Sequence, residues 1–121
     1  MRWRKGVKMG KVINNAYVVL FITTEADEEA QLISNVLLEQ KKAACVNIVP
    51  EVNSLFWWRG KIDSSRESLL VVKTKASLVD AIVQLVKRIH SSDVPEIIAL
   101  PIVDGSRDYL DWVGKELEEK E

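Results

Sequence analysis

The sequence predicts an α+β fold of the ferredoxin-like type, in which the order βαββαβ forms one antiparallel sheet and an added C-terminal helix closes the chain. Two observations predict this class. Segments with strand and helix patterns follow one another in that order, and several of the strand segments are apolar on both faces. In the strand that Pro95 opens, for example, Ile98 and Leu100 share one face while Ile97 and Ala99 share the other.

Strands of this kind need cover on both faces of their sheet. The two main helices that the pattern predicts can cover only one face. A large apolar surface left open usually marks an interface. We therefore expect further copies of the chain to pack on the second face, so that the protein is a homo-oligomer.

The first half of the chain predicts a strand, a helix and a long strand. Tyr17 to Thr23 forms the first strand. Thr24 is the expected cap of a helix whose first turn is acidic and whose apolar residues recur at helical spacing. Ala44 to Trp58 is extended, with a break or bulge at Pro50, and Arg59-Gly60 turns the chain into a hairpin.

The second half predicts a further strand–helix–strand unit and the closing helix. The returning strand of the hairpin includes Ser68 to Lys75. Ser77 is the expected cap of a helix that carries an apolar stripe and ends near His90. Pro95 opens the last strand, and Gly105-Ser106 ends that strand and begins the closing helix.

Composition and charge are those of an ordinary globular protein with an unusual N-terminus. The chain has 121 residues, 47% of them apolar and 29% charged, and a formal net charge of −1, which suits one domain. Residues 1–15 are basic and contain no acid, so we expect a disordered extension before a single domain over residues 16–119. The remainder is acidic, which argues against nucleic acid as a partner.

No segment predicts membrane insertion or export. The apolar run from Ala16 to Ile22 is too short to span a bilayer, and Thr23-Thr24-Glu25 follows it instead of a cleavage site. Cys45 is the one cysteine, which excludes an intramolecular disulfide and fits a reducing compartment. The cytoplasm is therefore the expected location.

His90 and Cys45 are the single histidine and the single cysteine, residue types that bind soft divalent cations. Neither has a second soft ligand at short spacing, so a metal site would need His90 with Asp93 or Glu96, or several copies together. The alternatives are a His90 cation at the negative end of its helix and a Cys45 packed as a small apolar residue. No serine-triad or phosphate-loop motif occurs, so neither an enzyme nor an organic cofactor is expected. The last-ranked alternative is an enzyme with its site between subunits, in which His90 acts as acid or base beside Glu96 or Lys73.

Trp57 and Trp58 are adjacent in the hairpin and therefore point to opposite faces of it. One of the two is expected in a subunit contact or in a pocket wall, because large aromatic residues are favoured at interfaces. The alternative is a hairpin tip that packs on its own domain.

Several segments, in order from about Tyr17 to Trp112, resemble the CutA family of divalent-cation tolerance proteins. Their number and family-like spacing make the resemblance more specific than any single short motif. One departure is His90-Ser91-Ser92, where the family usually has His-Pro-Tyr, so that an aromatic residue beside the histidine is missing. The markers in this sequence are Ala43–Ile48, Ser54–Ile62, Glu67, Leu69–Thr74, Val94–Pro101 and Tyr109–Trp112.

The resemblance implies a ferredoxin-like subunit in a compact homotrimer, similar in architecture to the PII signalling proteins. It implies tolerance of divalent metals, with copper or a similar cation as the bound ion. The alternative is a PII-like regulatory or scaffolding trimer that binds a small molecule or a protein, as in acetylcholinesterase anchoring by animal relatives. By residue match, the metal candidates are His90, Glu96 and Cys45, and the cleft candidates are Trp58, Glu67, Lys73, Tyr109 and Trp112.

Overall fold

The structure is a computed structural model that describes residues 17–117. The predicted extension over residues 1–15, and positions 16, 118 and 119 of the predicted domain, lie outside this range. Within it the order of elements is the predicted one, and no helix of these residues is long and apolar enough to cross a membrane. The elements are β1 (Tyr17–Thr24), α1 (Asp27–Glu39), β2 (Cys45–Trp58), β3 (Lys61–Lys75), a 3₁₀ turn (Ala76–Leu78), α2 (Val79–Ile89), β4 (Ile97–Pro101) and α3 (Arg107–Glu116).

The four strands form one antiparallel sheet in the order β2-β3-β1-β4. β1 lies in the middle, where Leu20 pairs with Val72 of β3 on one side and with Ala99 of β4 on the other. This topology confirms the predicted ferredoxin-like arrangement with an added C-terminal helix. Because β2 and β4 are edge strands, their outer backbone groups have no strand partner among residues 17–117.

The core lies between one face of the sheet and the helices α1 and α2. Buried and half-buried side chains alternate along β1, because every second residue faces the helices. Leu20 of β1 and Leu70 of β3 are fully buried there, together with Ile33 of α1 and Ile82 of α2. Burial of this apolar layer supplies the main free energy of folding.

The other face of the sheet is apolar as well, and α1 and α2 do not cover it. Phe21 of β1 pairs with Val71 of β3 and with Ile98 of β4, so the three side chains lie on the same side. Ile98 and Leu100 are exposed there. We call this surface, formed by Val19, Phe21, Val71, Ile98 and Leu100, the open face. The predicted two-sided apolar pattern is confirmed, whereas its cover by further copies stays a prediction.

β2 and β3 continue beyond β1 as a two-stranded arm, residues 52–67. Arg59 and Gly60 connect its strands with φ angles of 53° and 79°. Positive φ at both central residues is typical of the two-residue hairpin turn whose twist matches that of the strands. The predicted Arg59-Gly60 hairpin is thus confirmed.

A bulge in β2 decides which side of the arm each aromatic side chain occupies. The register shifts between Val49 and Val52, and Glu51 has a φ of 59°. One extra residue in a strand reverses the alternation of its side chains. Trp58 therefore lies on the same side of the sheet as the open face, and Trp57 lies on the opposite side. The break predicted at Pro50 is confirmed.

Two predicted helix caps are wrong, because β1 extends one residue further than expected and a 3₁₀ turn precedes α2. β1 continues through Thr24, whose side chain is buried and donates to the Ala26 carbonyl oxygen at 3.0 Å. α1 begins at Asp27 without a side-chain cap. Ser77 lies inside the 3₁₀ turn, and α2 begins at Val79, again without a side-chain cap.

The predicted start of the closing helix is confirmed. Ser106 is the N-cap of α3, and its hydroxyl accepts the Tyr109 backbone N–H at 3.3 Å. Val113 of this helix and Leu117, which follows it, are buried in the core. Gly114 lies against Tyr17, the first residue of β1, so α3 packs where β1 begins.

Candidate functional site

An open groove of about 810 Å³ lies between the arm and the loop that leads into β4. Three parts of the chain line it: the end of β1, the open-face side of the arm, and the loop after α2. The bulge in β2 positions the second of these, because it turns Phe56 and Trp58 toward the groove. The lining residues from the three parts include Thr23 and Glu25, then Phe56, Trp58 and Glu67, then His90, Ser92 and Glu96.

The groove is acidic. Its lining contains four carboxylates and, among the described residues, no lysine or arginine. Oxygen ligands of this kind suit divalent cations, and a concave surface with one sign of charge concentrates counter-ions. The four carboxylates are those of Glu25, Asp63, Glu67 and Glu96.

The two tryptophans of the arm are both largely exposed, Trp57 by 72% and Trp58 by 57%. Trp58 lines the groove, and the Arg59 guanidinium lies 5.3 Å from the centroid of its ring. Of the pair, Trp58 is the one that lines the groove, and its role as a binding residue stays a prediction. The alternative, a hairpin tip packed on its own domain, is wrong at these exposures.

His90 follows α2 with its side chain only 4% exposed and both ring nitrogens in hydrogen bonds. Nε2 lies 2.7 Å from the Thr23 carbonyl oxygen, which only accepts, so Nε2 carries the proton. Nδ1 accepts the Ser92 N–H at 2.9 Å. Both ring nitrogens thus have partners within the chain. His90 can coordinate a metal ion only by giving up one of these hydrogen bonds.

Glu29 of α1 forms hydrogen bonds with the loop that follows His90. Its carboxylate accepts the Ser91 backbone N–H at 2.6 Å and the Ser91 hydroxyl at 3.0 Å, and it lies 3.6 Å from His90 Nδ1. Hydrogen bonds to an ionised carboxylate are stronger than neutral ones. A proline at position 91 would have neither donor, so this attachment depends on the serine.

A second polar cluster surrounds Cys45 at the start of β2. Its cross-strand partner is Lys73, whose Nζ lies 4.0 Å from Cys45 Sγ and also donates to the side-chain oxygen of Asn47. Tyr109 of α3 hydrogen-bonds with Cys45, and its ring centroid lies 5.6 Å from that of Trp112. Cys45 is half-buried and has polar neighbours, so it is not the apolar core residue considered from the sequence.

Tyr109 in this cluster has a raised pKa. Partial burial is the largest cause, followed by the charge of the ionised Cys45 thiol and by the hydrogen bond between the two side chains. Each of these disfavours the charged phenolate. Because an ordinary tyrosine ionises near pH 10, Tyr109 is a neutral hydrogen-bond donor at physiological pH.

The three predicted metal candidates do not converge within the described residues. His90 and Glu96 line the groove at the end of β1, where Thr23 pairs with Leu69 of β3. Cys45 pairs with Lys73, four residues further along β3, so it lies about 13 Å from that end. Residues 17–117 contain no group of three His, Cys, Asp or Glu side chains that could hold a metal ion. The eight predicted residues thus divide into a groove set, Trp58, Glu67, His90 and Glu96, and a cluster set, Cys45, Lys73, Tyr109 and Trp112.

Three acidic residues of this region were missed by sequence reasoning. Asp63 lies four residues before Glu67 on the same strand, so the period-two rule could have placed both on one side of the arm. Glu25 follows the end of β1 in a short connection and has no comparable signal. The role of Glu29 depends on how α1 lies beside the end of α2, which local sequence does not reveal.

Residues 18–116 match the family described as CutA1 divalent ion tolerance protein. Protein CutA 1, chloroplastic, of Oryza sativa is 44% identical over 96 residues, which cover 79% of this chain and 54% of that protein. The chain spans about half the length of this relative. The divalent-cation tolerance protein CutA of Thermus thermophilus is 44% identical over 95 residues, covering 78% of this chain and 92% of that protein.

The fold agrees with a solved structure of the same kind. The periplasmic divalent cation tolerance protein CutA of Archaeoglobus fulgidus superposes with a TM-score of 0.82 at 41% identity, covering 84% of this chain and 99% of that one. The matched segment runs from Val18 of β1 to the end of α3, and so contains both the groove and the Cys45 cluster. This chain belongs to the CutA1 family of divalent ion tolerance proteins.

Proposed function

We propose that this protein is a homotrimeric divalent-cation tolerance protein that binds copper or a similar divalent cation in the acidic groove. In this proposal it catalyses no reaction and uses no organic cofactor. The observation that carries the proposal is the groove lining, which combines four carboxylates with no lysine or arginine among the described residues. Family membership supports the same function.

Glu67 and Glu96 are the proposed first ligands, one from the arm and one from the loop before β4. The groove carboxylates do not converge within one chain, so water molecules and groups from a neighbouring copy complete the coordination in this proposal. Carboxylate oxygens suit many divalent ions, and copper has the highest affinity of the first-row series. His90 keeps its two hydrogen bonds and serves as a fixed part of the groove wall.

The trimer in this proposal rests on the open face and the arm. Ile98 and Leu100 of the open face are exposed, as are Leu55, Trp57 and Ile62 of the arm. Apolar surface of this extent favours association with further copies. The cytoplasm stays the proposed location, although the Oryza relative is named chloroplastic and the Archaeoglobus structure periplasmic.

Isothermal titration calorimetry with Cu²⁺ and with Mg²⁺ tests the cation site. The double variant Glu67→Gln/Glu96→Gln should lower Cu²⁺ affinity by about tenfold or more, since affinity follows the number of charged ligands. The matched control is Glu39→Gln/Asp108→Asn, which removes two exposed carboxylates outside the groove. The control should change the affinity less than about twofold, because exposed charges at a distance are screened.

His90→Ala provides a further comparison in the same titration. Under the proposal its Cu²⁺ affinity per folded subunit stays close to that of the unmodified protein. A loss confined to His90→Ala would make the imidazole the ligand and contradict the proposed role of the two glutamates. If the groove variant and its control lost the same amount of Cu²⁺ affinity, the groove would not be the binding site.

A further inference from the structure

We propose that Asp104-Gly105, in the loop between β4 and α3, is a modification site at which the folded protein forms isoaspartate. In this reaction the backbone nitrogen of one residue attacks the side-chain carboxyl group of the aspartate before it, and a five-membered succinimide ring closes. Gly105 is the one glycine of this sequence that follows an aspartate or an asparagine. The modification concerns this loop and does not rest on cation binding.

The loop holds the two reacting groups close together. The Gly105 N–H donates to Asp104 Oδ1 at 2.8 Å. Because Oδ1 is bonded to Cγ at about 1.2 Å, the Gly105 nitrogen lies within about 4 Å of the carbon that it attacks. Reacting atoms in a near-attack geometry are about 3–3.5 Å apart. A small rotation of the Asp104 side chain therefore suffices for ring closure.

The backbone around Asp104-Gly105 lies outside the regular elements. β4 ends at Pro101 and α3 begins at Arg107, and both residues of the dipeptide are exposed. Glycine has no Cβ, so Gly105 presents its nitrogen without obstruction and its backbone turns easily. A strand or a helix would instead fix the dihedral angles and use the amide in its own hydrogen bonds.

Asp63-Ser64 in the arm has the same local contact and provides an internal comparison. The Ser64 N–H donates to Asp63 Oδ1 at 2.7 Å. These two residues lie within β3, where they pair with Phe56 and Leu55 of β2. The strand pairing opposes the turn of the backbone that the ring requires, and the Cβ of serine obstructs the attack. The same contact should therefore be far less reactive there.

The reaction needs no co-reactant other than water. A bond forms between Gly105 N and Asp104 Cγ, and the amide proton leaves with the carboxyl OH as one water molecule. Hydrolysis then adds one water molecule to the ring. Attack on the side-chain carbonyl carbon restores aspartate, whereas attack on the main-chain carbonyl carbon leaves the α-carboxylate free. The second product has an unchanged mass and one extra methylene group in its main chain.

The extra methylene group would lie directly before the cap of α3. Ser106 accepts the Tyr109 N–H at 3.3 Å, and the Tyr109 side chain hydrogen-bonds with Cys45. A longer main chain at this point should displace the start of α3 and weaken the contact between Tyr109 and Cys45. The free α-carboxylate is also the group that methyltransferases specific for isoaspartate esterify, with the methyl group of S-adenosylmethionine.

Peptide mapping of the full chain tests the proposal after prolonged incubation at neutral pH. Electron-transfer dissociation in the mass spectrometer distinguishes isoaspartate from aspartate. Isoaspartate should accumulate about tenfold or more faster at Asp104 than at Asp63. Gly105→Ala is the matched variant, because a Cβ there meets the Leu110 side chain at an ordinary 3.5 Å. It should slow the accumulation at Asp104 about tenfold.

A synthetic peptide of residues 100–109 separates the reactivity of the folded loop from that of the dipeptide alone. Because segments outside hydrogen-bonded elements open readily, the folded chain should keep at least about a tenth of the rate of the peptide. A lower rate would overturn the proposal, and so would equal accumulation at Asp104 and Asp63 or an unchanged rate in Gly105→Ala.

Asp104→Asn counts every ring closure, including those that return to aspartate. The asparagine forms the same ring with loss of ammonia, so hydrolysis leaves a product of higher mass than the starting variant. This mass increase should appear at position 104, and its absence would overturn the proposal. In a Tyr17→Phe background, isoaspartate-enriched chains should show a lower Tyr109 pKa than fresh chains, because the contact with Cys45 is lost. An unchanged pKa would contradict the displacement of α3.

Discussion

At the scale of single residues, His90 illustrates how a buried side chain is held by its neighbours. Its ring connects the end of β1, through the Thr23 carbonyl oxygen, to the loop that forms one wall of the groove, through the Ser92 N–H. Glu29 holds the same loop from α1 through Ser91. Three elements therefore meet at one imidazole, which makes a structural role the expected one.

His90→Ala should destabilise the protein by about 1–3 kcal/mol, because it leaves the Thr23 carbonyl oxygen, which accepts a part-buried hydrogen bond, without its partner. Urea unfolding at a fixed protein concentration measures the change. Ser92→Ala is the control, since it removes only the hydroxyl that accepts the Val94 N–H at 3.2 Å and keeps the Ser92 backbone donor. The control should lose less than about 1 kcal/mol. A smaller loss for His90→Ala than for Ser92→Ala would contradict the structural role.

The Cys45–Tyr109 contact makes a prediction about pH. The ionised thiol and its hydrogen bond both raise the pKa of Tyr109, after burial. Cys45→Ala removes these two causes, so the pKa of Tyr109 should fall toward 10 while staying above it because burial remains. The tyrosinate absorbance near 295 nm follows the titration, in a Tyr17→Phe background that leaves Tyr109 as the one tyrosine. An unchanged pKa would show that the two groups are not coupled.

At the scale of elements, two local backbone features determine what the arm presents. The bulge at Glu51 reverses the alternation of β2, and the turn at Arg59-Gly60 sets the pairing of the two strands. Trp58 faces the groove as a result, on the same side of the arm as Asp63 and Glu67 of β3. Removal of the extra residue would exchange the sides of Trp57 and Trp58. The chemistry of the groove therefore depends on one inserted residue.

The packing of α3 on β1 provides a test at the same scale. A Cβ at Gly114 would lie 2.6 Å from the Tyr17 hydroxyl oxygen, so Gly114→Ala forces a shift there, despite a gain in helix propensity of about 1 kcal/mol. In a Tyr17→Phe background the obstructing oxygen is gone. Gly114→Ala should then be more favourable by about 1 kcal/mol or more, as measured by a double-mutant cycle of urea unfolding.

Gly105 provides the control for that cycle. A Cβ there would meet the Leu110 side chain at 3.5 Å, an ordinary contact. Gly105→Ala should therefore show no coupling to Tyr17→Phe beyond about 0.5 kcal/mol. If Gly114→Ala were equally uncoupled, α3 would not press on Tyr17 in the way described.

At the scale of the whole molecule, the open face is the feature that the single chain leaves incomplete. Its residues come from three strands, and the helices that form the core lie on the other side of the sheet. The outer edges of β2 and β4 also have no strand partner within residues 17–117. These features favour a protein that is stable as an assembly.

Sedimentation at micromolar concentration should give a mass close to three times the 13.7 kDa of one chain. Ile98→Asp places a charge on the open face and should dissociate the assembly, since burial of an unpaired charge is strongly unfavourable. Leu32→Asp is a matched control, because Leu32 on α1 is 51% exposed and Ile98 is 50% exposed. Dissociation by both variants, or by neither, would contradict the role of the open face.

The sequence by itself determined the order of elements, the two apolar faces of the sheet, the hairpin turn and the break at Pro50. These are local properties, because side-chain alternation, helical spacing and turn chemistry act over a few residues. Residue matches also selected Trp58, Glu67, Lys73 and Tyr109 before any contact was known. The two wrong caps show the limit of local signals. Pairing across the sheet extends β1 through Thr24, and Ser77 lies in a 3₁₀ turn that precedes α2.

Only the tertiary structure decided how those residues are grouped. It places Cys45 away from His90, and it gives both nitrogens of the imidazole hydrogen-bond partners. It also forms an acidic groove from positions as distant in sequence as Glu25 and Glu96. The physical reason is that strand register and the packing of helices on a sheet bring together residues far apart in the chain. Local propensity carries no information about such distances, whereas hydrogen bonding and charge depend on them directly.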